Sequence, residues 1–259
     1  MRIAVLQMSP AAGDVAENLA RIDAAAGQAK AQEADVLVAP ELAVPGYGAG
    51  DALRDLAESR EGEQVRSLRE SAQRHAIAVV AGFAERDAAK VFNSAAAVDA
   101  AGRATFYRKQ NLYGPYEKAI FTPGDAPATI LEIADAPVGI LICYDVEFPE
   151  CGRAAALAGA QALLVPTALP EGPHATFIAE KLVPVRAFEN QIAVAYANYA
   201  GRDSRFTYAG RSCIVMPDGG EAARAPAEVP ALIVADYAPA AFADSRAANA
   251  YLQDLVRRG

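Results

Sequence analysis

The stretch that decides the fold of this chain is residues 139–150, which read GILICYDVEFPE. Together with Val138 it begins as a short apolar run of the kind that forms a fully buried strand. The run stops at Cys143, and Pro149, a residue suited to the first turn of a helix, follows soon after. A cysteine on such a strand-to-helix turn presents its sulfur at a sheet edge, beside the N–H groups that begin the helix. This position suits a nucleophile, although a lone cysteine is more often a small apolar filler of the core.

Apolar runs of the same kind recur on both sides of this stretch. They predict strands at residues 3–8, 35–39, 76–83, 91–98, 103–108, 129–133, 138–142, 162–166, 192–197, 211–216 and 231–236. Helical patterns predict helices at residues 14–30, 63–75, 150–160, 173–190 with an interruption at Pro184, and 241–257. Residues 110–124 are predicted to form a long irregular connection. Strands that are apolar throughout and alternate with helices indicate an α/β fold with helices covering the sheet.

Length and composition favour one domain over residues 1–259. The chain is 53% hydrophobic and has no long polar or Pro/Gly/Ser-rich tract, so it can bury one large core. A net charge of -8 disfavours nucleic acid or an acidic membrane as partner, because Coulomb repulsion opposes each encounter. No apolar stretch approaches the roughly 18 residues of a membrane span. The opening MRIAVLQMSP is read as a first strand rather than a targeting segment, and Arg257 with Arg258 as solvated charges at a helix end.

The cysteine count and the glycine pattern restrict the chemistry. Three cysteines without a CxxC pair do not make a disulfide framework, so we expect reduced thiols and a cytoplasmic protein. The loop LAVPGYGAGD is rich in glycine but lacks the dinucleotide fingerprint, and no phosphate-binding G-x-x-x-x-G-K-[ST] motif occurs. No His, Cys or Asp cluster has the spacing of metal ligands. The sequence therefore predicts neither a metal nor an organic cofactor.

Four polar residues occupy the same kind of position, just past the carboxyl end of a predicted strand. They are Glu41, Lys109, Cys143 and Asn198. Ligands of open α/β sheets gather at that edge, so we expect these residues to share one cleft. A thiol attacks a carbonyl or nitrile carbon only as thiolate, so a base must accept its proton and another group must stabilise the oxyanion.

The surrounding residues supply candidates for those two tasks. Glu41 can be the base, provided that burial raises its pKa toward working pH. Lys109 can stabilise the thiolate and the oxyanion, aided by the backbone N–H of Tyr144. Glu117 can hold that lysine in place. The alternatives are that Lys109 is a solvated strand-end charge and that Glu117 pairs with it, or with Lys118, on the surface.

The two histidines are weaker candidates for the base. His75 falls at the helix-to-strand side, which is the opposite edge of the sheet, and is read as structural. His174 lies in the turn before a helix and can line a pocket. A Cys-His thiol enzyme that uses His174 stays open as a less favoured alternative.

Three segments in chain order resemble the signature regions of the nitrilase superfamily, the carbon–nitrogen hydrolases. They are APELAVPGY, YRKQNLYG with the downstream EKAIFTPG, and GILICYDVEFPE, and the later NQIAVAYAN and YAGRSCIVMPDG are similar to the family's later strands. The resemblance implies Glu41 as general base, Lys109 as oxyanion stabiliser and Cys143 as nucleophile. It implies Glu117 as a second glutamate that positions lysine and substrate. It also implies a four-layer α-β-β-α sandwich that forms a homodimer or higher homo-oligomer through helices near the cysteine, at residues 150–160 and 173–190.

The residues after the cysteine resemble those of amidase branches of the superfamily. True nitrilases tend to have Trp and Glu after the cysteine, whereas here Tyr144 and Asp145 follow Cys143 and the chain has no tryptophan. The form CYDVEFPE is most similar to amidases acting on amides of small amino acids or amines. Near the position of Glu147, omega-amidase relatives commonly carry an arginine that helps bind an acidic substrate. We therefore expect a substrate that is neutral or carries an amine.

The function predicted from the sequence is hydrolysis of a small carboxamide to the acid and ammonia through a cysteine acyl-thioester. The alternatives are a nitrilase, an N-carbamoyl-amine or N-carbamoyl-amino-acid hydrolase and, outside enzymes, a catalytically idle binding or assembly subunit. Residues expected to line the substrate pocket are Tyr47, Tyr116, Tyr144, Glu147, Thr167, Ala168, Leu169, His174 and Asn198.

Overall fold

Two six-stranded sheets form the centre of the molecule, which the computed structural model describes over residues 1–126 and 128–256. The first sheet contains, in spatial order, β14 (Ala231–Asp236), β1 (Arg2–Gln7), β2 (Val36–Val38), β3 (Ala78–Asp87), β4 (Lys90–Val98) and β5 (Ala104–Arg108). The second contains β13 (Glu221–Arg224), β12 (Cys213–Val215), β9 (Ala193–Ala197), β8 (Ala162–Pro166), β7 (Ala136–Ile140) and β6 (Thr129–Ile133). A ribbon that the sequence did not predict pairs β10 (Ala200–Arg202) with β11 (Thr207–Ala209).

Helices cover the outer faces of the two sheets. The α-helices are α1 (Val15–Ala31), α2 (Ala52–Asp55), α3 (Glu63–His75), α4 (Gly114–Ile120), α5 (Pro149–Leu157), α6 (Ala175–Phe177), α7 (Val183–Asn190), α8 (Ala243–Ala248) and α9 (Tyr251–Asp254). Single 3₁₀ turns span Tyr47–Ala49, Cys143–Glu147 and Pro239–Phe242, and a π-helical turn spans Ile178–Leu182. Within the described ranges, no helix has the length and apolar character needed to cross a membrane.

The alternation of side chains along each strand creates the layers. Val36 and Val38 of β2 point to the second sheet and share a core with Val138 of β7. Leu37, between them, points the other way and shares a second core with Ile22 of α1 and the buried apolar residues of α3. Buried side chains of α5 and α7 join the core on the far side of the second sheet. The predicted four-layer α-β-β-α sandwich is therefore confirmed.

Three neighbouring strands in each sheet run parallel, with antiparallel strands outside them. These are β1, β2 and β3 in the first sheet and β7, β8 and β9 in the second. The carboxyl ends of parallel strands meet at one edge of a sheet, which is where ligands of open α/β sheets gather. The segments after β2, β7, β8 and β9 therefore converge.

Residues 110–124 and 241–257 differ most from their predicted structure. Residues 110–124 are not irregular throughout, because they contain α4, which has Pro115 in its first turn and was too short to give a helical period. Residues 241–257 do not form one helix: a 3₁₀ turn, α8 and α9 follow one another, and residue 257 lies outside the described residues. Neither α8 nor α9 contains a buried residue, and a continuous helix over this range would have had little tertiary packing to stabilise it.

The predicted helix at residues 173–190 begins later and contains a widened turn. Pro184 has no N–H, and its ring crowds the carbonyl four residues earlier, at Glu180. The backbone relieves this conflict in the π-helical turn Ile178–Leu182, directly before α7. Helical structure thus continues past the proline instead of stopping there.

Candidate active site

A cluster of three charged side chains is fully buried at the carboxyl edge of the first sheet. Glu41, Lys109 and Glu117 each have zero solvent exposure. The Nζ atom of Lys109 donates to Oε1 of Glu41 at 2.6 Å and to Oε1 of Glu117 at 2.7 Å. Buried charges are tolerated only when they are paired and hydrogen-bonded. The structure thus excludes the alternative in which Lys109 and Glu117 are solvated surface charges.

The backbone at Glu41 packs closely against β3, and one oxygen of its carboxylate is held by neighbouring side chains. Gly82 in β3 lies against this segment, and a Cβ atom there would be 2.1 Å from the backbone nitrogen of Leu42. Asn93 in β4 donates from Nδ2 to Oε1 of Glu41 at 2.6 Å. The other carboxylate oxygen, Oε2, is buried and has no hydrogen-bond partner in the part of the chain that the structure describes. Glu41 therefore has one oxygen fixed by two donors and one oxygen open.

Two further groups donate hydrogen bonds to the carboxylate of Glu117. The hydroxyl of Tyr47 donates to its Oε1 at 2.9 Å, and the backbone N–H of Tyr113 donates to its Oε2 at 2.8 Å. Glu117 lies in the first turn of α4, the helix that the sequence did not reveal. Both of its oxygens are therefore occupied, in contrast to those of Glu41.

Cys143 lies three residues beyond the end of β7, in a strained backbone conformation. Its φ angle is +45°, in the left-handed region, and the residue is only 7% exposed. A residue with a Cβ held there stores about 1–3 kcal/mol of strain and persists only if its surroundings impose it. The sharp turn explains how the side chain leaves the plane of the buried strand at this edge.

Asp145 fixes this turn against the strand that carries Lys109. Its carboxylate accepts from the backbone N–H of Ile142 at 3.2 Å, from the hydroxyl of Tyr107 at 2.9 Å and from the backbone N–H of Asn111 at 2.8 Å. Tyr107 and Asn111 flank Lys109 in the first half of the chain. One buried carboxylate therefore connects the cysteine turn of the second sheet to the lysine segment of the first.

Burial and charge together set the protonation of these groups. Burial raises the pKa of Glu41 to about 7, although the positive charge of Lys109 opposes the shift. Burial alone would lower the pKa of Lys109, but the charges of Glu41 and Glu117 outweigh it and raise that pKa. Burial, followed by the charge of Glu41, raises the pKa of the Cys143 thiol well above its ordinary value. At neutral pH the site holds a protonated thiol, an ammonium and a carboxyl group poised to exchange a proton.

A cavity of about 430 Å³ opens beside Cys143. Five of the residues predicted to line a pocket lie in its wall: Tyr144, Glu147, Ala168, Leu169 and His174. Most of the remaining wall is apolar and was not foreseen. It consists of Tyr113, Pro170, Phe177, Ile178 and Leu182. The π-helical turn contributes the last two, so the widened helix shapes the cavity.

Four residues predicted to line the pocket lie behind it instead. The hydroxyl of Tyr47 is bonded to Glu117, and that of Tyr116 donates to the backbone carbonyl of Tyr47. Thr167 donates to the carbonyl of Val165 at 3.1 Å, and Asn198 accepts from the N–H of Leu169 at 2.9 Å. Their polar atoms are engaged within the protein, so they support the wall without forming it.

Sequence reasoning also missed residues that hold the charged cluster, namely Asn93 and Asp145. Asn93 is a polar residue within the apolar strand VFNSAAAV, and this departure from the pattern was the available signal. His75, by contrast, has the structural role predicted for it, because its Nε2 lies 3.0 Å from Asp23 Oδ1 between α3 and α1. Among the residues with described positions, no group of three or more His, Cys, Asp and Glu side chains could hold a metal ion.

Comparison with known proteins agrees with the family resemblance seen in the sequence. The family model of carbon–nitrogen hydrolases matches residues 2–247. A hydrolase encoded in the pqqF 5′ region of Pseudomonas protegens is 39% identical, over 98% of this chain and 88% of its own length. An (R)-stereoselective amidase of a Pseudomonas species is 37% identical, over 85% of this chain and 78% of its own.

A solved structure is similar over nearly the whole length. The amidase of Nesterenkonia sp. AN1 superposes with a TM-score of 0.89 at 36% identity, covering 98% of this chain and 96% of that one. One variant of that amidase shows Michael addition of acrylamide at its active-site cysteine, and another was solved with butyramide.

Proposed function

Because the chain belongs to the carbon–nitrogen hydrolase family and is thus a hydrolase of carbon–nitrogen bonds, we propose that it hydrolyses a small carboxamide to the carboxylic acid and ammonia. Amidases are among its relatives and structural neighbours. In this proposal Cys143 is the nucleophile, Glu41 the general base and Lys109 the stabiliser of the oxyanion. No metal or organic cofactor takes part in any step.

The first half-reaction acylates the thiol. Glu41 accepts the proton of Cys143 as the sulfur forms a bond to the amide carbonyl carbon, and the carbonyl electron pair moves to oxygen. The ammonium of Lys109 and the backbone N–H groups at the start of the Cys143–Glu147 turn stabilise the oxyanion. When the oxyanion collapses, the carbon–nitrogen bond breaks and Glu41 returns its proton to the leaving nitrogen. Ammonia departs and an acyl-thioester remains.

In the second half-reaction water is the nucleophile and the Cys143 thiolate is the leaving group. Glu41 takes a proton from a water molecule whose oxygen attacks the thioester carbon. The carbon–sulfur bond then breaks, and the proton on Glu41 returns to the thiolate. One water is consumed, one acid and one ammonia are released, and Cys143 and Glu41 recover their starting protonation.

The observation that carries this proposal is the open oxygen of Glu41. A buried carboxylate oxygen without a donor costs free energy and requires an explanation. A proton-accepting role supplies one, because the acceptor must have a lone pair free for the thiol and then for water. Lys109 meets a matching requirement: an ammonium has three N–H donors, and two of them bond to Glu41 and Glu117. The third remains for the substrate oxygen.

The test is ammonia release from butyramide by wild-type protein and by Cys143→Ala. We expect turnover to fall at least about 10⁴-fold, because no other group can form the thioester. Circular dichroism and the melting temperature should stay near wild type. Cys213→Ala is the matched control, since this cysteine is buried in β12, outside the cavity wall, and its loss should leave the rate almost unchanged. Ammonia release near the wild-type rate by Cys143→Ala would end the proposal.

We also propose that the chain forms a homodimer through the helices on the outer face of the second sheet. Three large apolar side chains there are exposed: Leu157 by 40%, Phe177 by 60% and Val185 by 49%. Covering them would remove apolar area from water and stabilise an assembly. Light scattering after size exclusion should give twice the chain mass, and Val185→Glu should shift it toward the monomer. A monomeric wild type would contradict this proposal.

A further inference from the structure

Glu147 presents a charge in the cavity wall that the protein does not neutralise. Its side chain lines the same cavity as Cys143. Over the described ranges, its carboxylate makes neither a hydrogen bond nor an ion pair, and only more distant charges act on it. This distinguishes it from Glu41 and Glu117, which both bind Lys109 directly.

The cations nearest to Glu147 are occupied elsewhere. Arg186 donates from Nε to the carbonyl of Val146 at 2.8 Å, from Nη2 to the backbone carbonyl of Glu147 at 2.7 Å and from Nη1 to Glu189 at 2.9 Å. Lys109 is bound by its two carboxylates. Arg186 therefore fixes the backbone of Glu147 and leaves its carboxylate free to meet a ligand.

The surroundings of this carboxylate are mostly apolar and partly desolvate it. The wall beside it consists largely of apolar side chains, including Leu169, Phe177 and Leu182. Burial raises the pKa of Glu147, while the charges of Lys109 and Arg186 act to lower it. A partly desolvated carboxylate gains most from a charged donor, because hydrogen bonds between ionised groups are about twice as strong as neutral ones. A ligand that carries such a donor would gain a charge-assisted hydrogen bond at this carboxylate.

From this geometry we infer that the Glu147 carboxylate binds a protonated amine of the substrate, so that the enzyme acts on short amino-carboxamides. The inference rests on the proposed amidase function, since it presumes that the carbonyl carbon lies at Cys143. Around the reacting position three carboxylates, those of Glu41, Glu117 and Glu147, face the single ammonium of Lys109. This surplus of negative charge attracts a cationic substrate and repels one that ends in a carboxylate.

The experiment compares amides that differ only in an ammonium group. Glycinamide, β-alaninamide and γ-aminobutyramide have propanamide, butyramide and pentanamide as neutral isosteres, and succinamate supplies the acidic counterpart. We expect kcat/KM of at least one amino-amide to exceed that of its isostere by about ten- to a hundredfold, which corresponds to one charge-assisted hydrogen bond. The length of the amino-amide that gives the largest ratio indicates the distance from the Cys143 thiol to the Glu147 carboxylate. Succinamate should be the poorest substrate.

Variants then assign the preference to one residue. Glu147→Gln keeps the size of the side chain and removes its charge, so the ratio between amino-amide and isostere should fall to near one. Glu150→Gln removes an exposed carboxylate three residues away that does not line the cavity, and should leave the ratio unchanged. Wild type that hydrolyses charged and neutral amides equally, or a preference that survives Glu147→Gln, would overturn the inference while the amidase function stands. If no amide is hydrolysed, the proposed function itself fails.

Discussion

The charged cluster and the cavity wall lie side by side but are built in opposite ways. In the cluster, every polar side-chain atom of Lys109 and Glu117 is hydrogen-bonded, and only one oxygen of Glu41 is open. The wall comes from loops, short helical turns and the π-helical turn, and its Phe177 is 60% exposed. Proton transfer requires positions correct to about half an ångström, whereas an apolar wall binds without direction. The groups proposed for proton transfer therefore lie in a densely hydrogen-bonded cluster, whereas most of the wall offered to a substrate is apolar.

The largest expected effect comes from breaking the cluster at its centre. Lys109→Met leaves Glu41 and Glu117 buried beside each other without a cation. We expect the free energy of unfolding to fall by about 3–5 kcal/mol, as when one partner of a buried ion pair is removed. Turnover should fall to background. Denaturant titration and ammonia release measure the two losses.

A double variant separates the two effects. Lys109→Met with Glu117→Gln removes one of the unpaired charges and should regain part of the lost stability, while turnover stays at background because no cation faces the oxyanion. If the single variant were as stable as wild type, the cluster could not hold the two charged carboxylates that its geometry requires.

The next prediction concerns the pH dependence of the rate. It depends on the open Oε2 oxygen of Glu41, which contrasts with the two hydrogen-bonded oxygens of Glu117. The proposed base must be unprotonated to accept the thiol proton, and the pKa of Glu41 is raised to about 7. For butyramide, kcat/KM should therefore rise about tenfold per unit below that pH and level off above it. Initial rates from about pH 5 to about pH 9 test this. A profile that stays flat down to pH 5 would contradict the role of Glu41.

The raised pKa has a corresponding effect on stability. Over the window from 4.5 to about 7 the folded carboxyl of Glu41 keeps its proton while the unfolded one releases it. The folded state binds more protons there, so the contribution of Glu41 to stability decreases as pH rises through the window. Glu41→Gln should remove this part of the pH dependence, which urea titrations at several pH values can measure.

The smallest effect concerns the link between the two sheets. Asp145→Asn keeps the size of the side chain but turns an NH₂ group toward donors, since Tyr107, Asn111 and Ile142 all donate to the native carboxylate. We expect kcat to fall about ten- to a hundredfold through displacement of the cysteine turn, with little change in KM. Tyr107→Phe removes one of these donors and should have a smaller effect. A change confined to KM would instead indicate a role in the cavity.

Much of the fold could be predicted from the sequence because its signals are local. Runs such as ALLVP at Ala162–Pro166 are apolar throughout and short, which is typical of parallel strands buried on both faces. The start of α1 could also be predicted, because Asp14 followed three residues later by Glu17 is typical of a helix start. In the structure Asp14 accepts from the N–H of Glu17 at 3.0 Å. The positions of Glu41, Lys109 and Cys143 followed from the rule that ligands gather at the carboxyl edge of such strands.

The remaining features depend on contacts between distant parts of the chain. Whether Asn198 lines the cavity or supports it is decided by Leu169 and Gly210, to which it bonds, and no local pattern reports that choice. The helix α4 has only seven residues and is stabilised by its surroundings rather than by its own period. No local pattern around Asp145 indicates its role, and its link to Asn111 becomes visible only when the sheets are packed together.

The order of the strands has a consequence for how the fold closes. Along the described part of the chain β14 follows all the other strands, yet it pairs with β1, which precedes them all. The segment between these two partners contains every strand of the second sheet. Pairing β1 with β14 therefore closes a very long loop, and contacts between such distant segments carry a large entropy cost and slow folding.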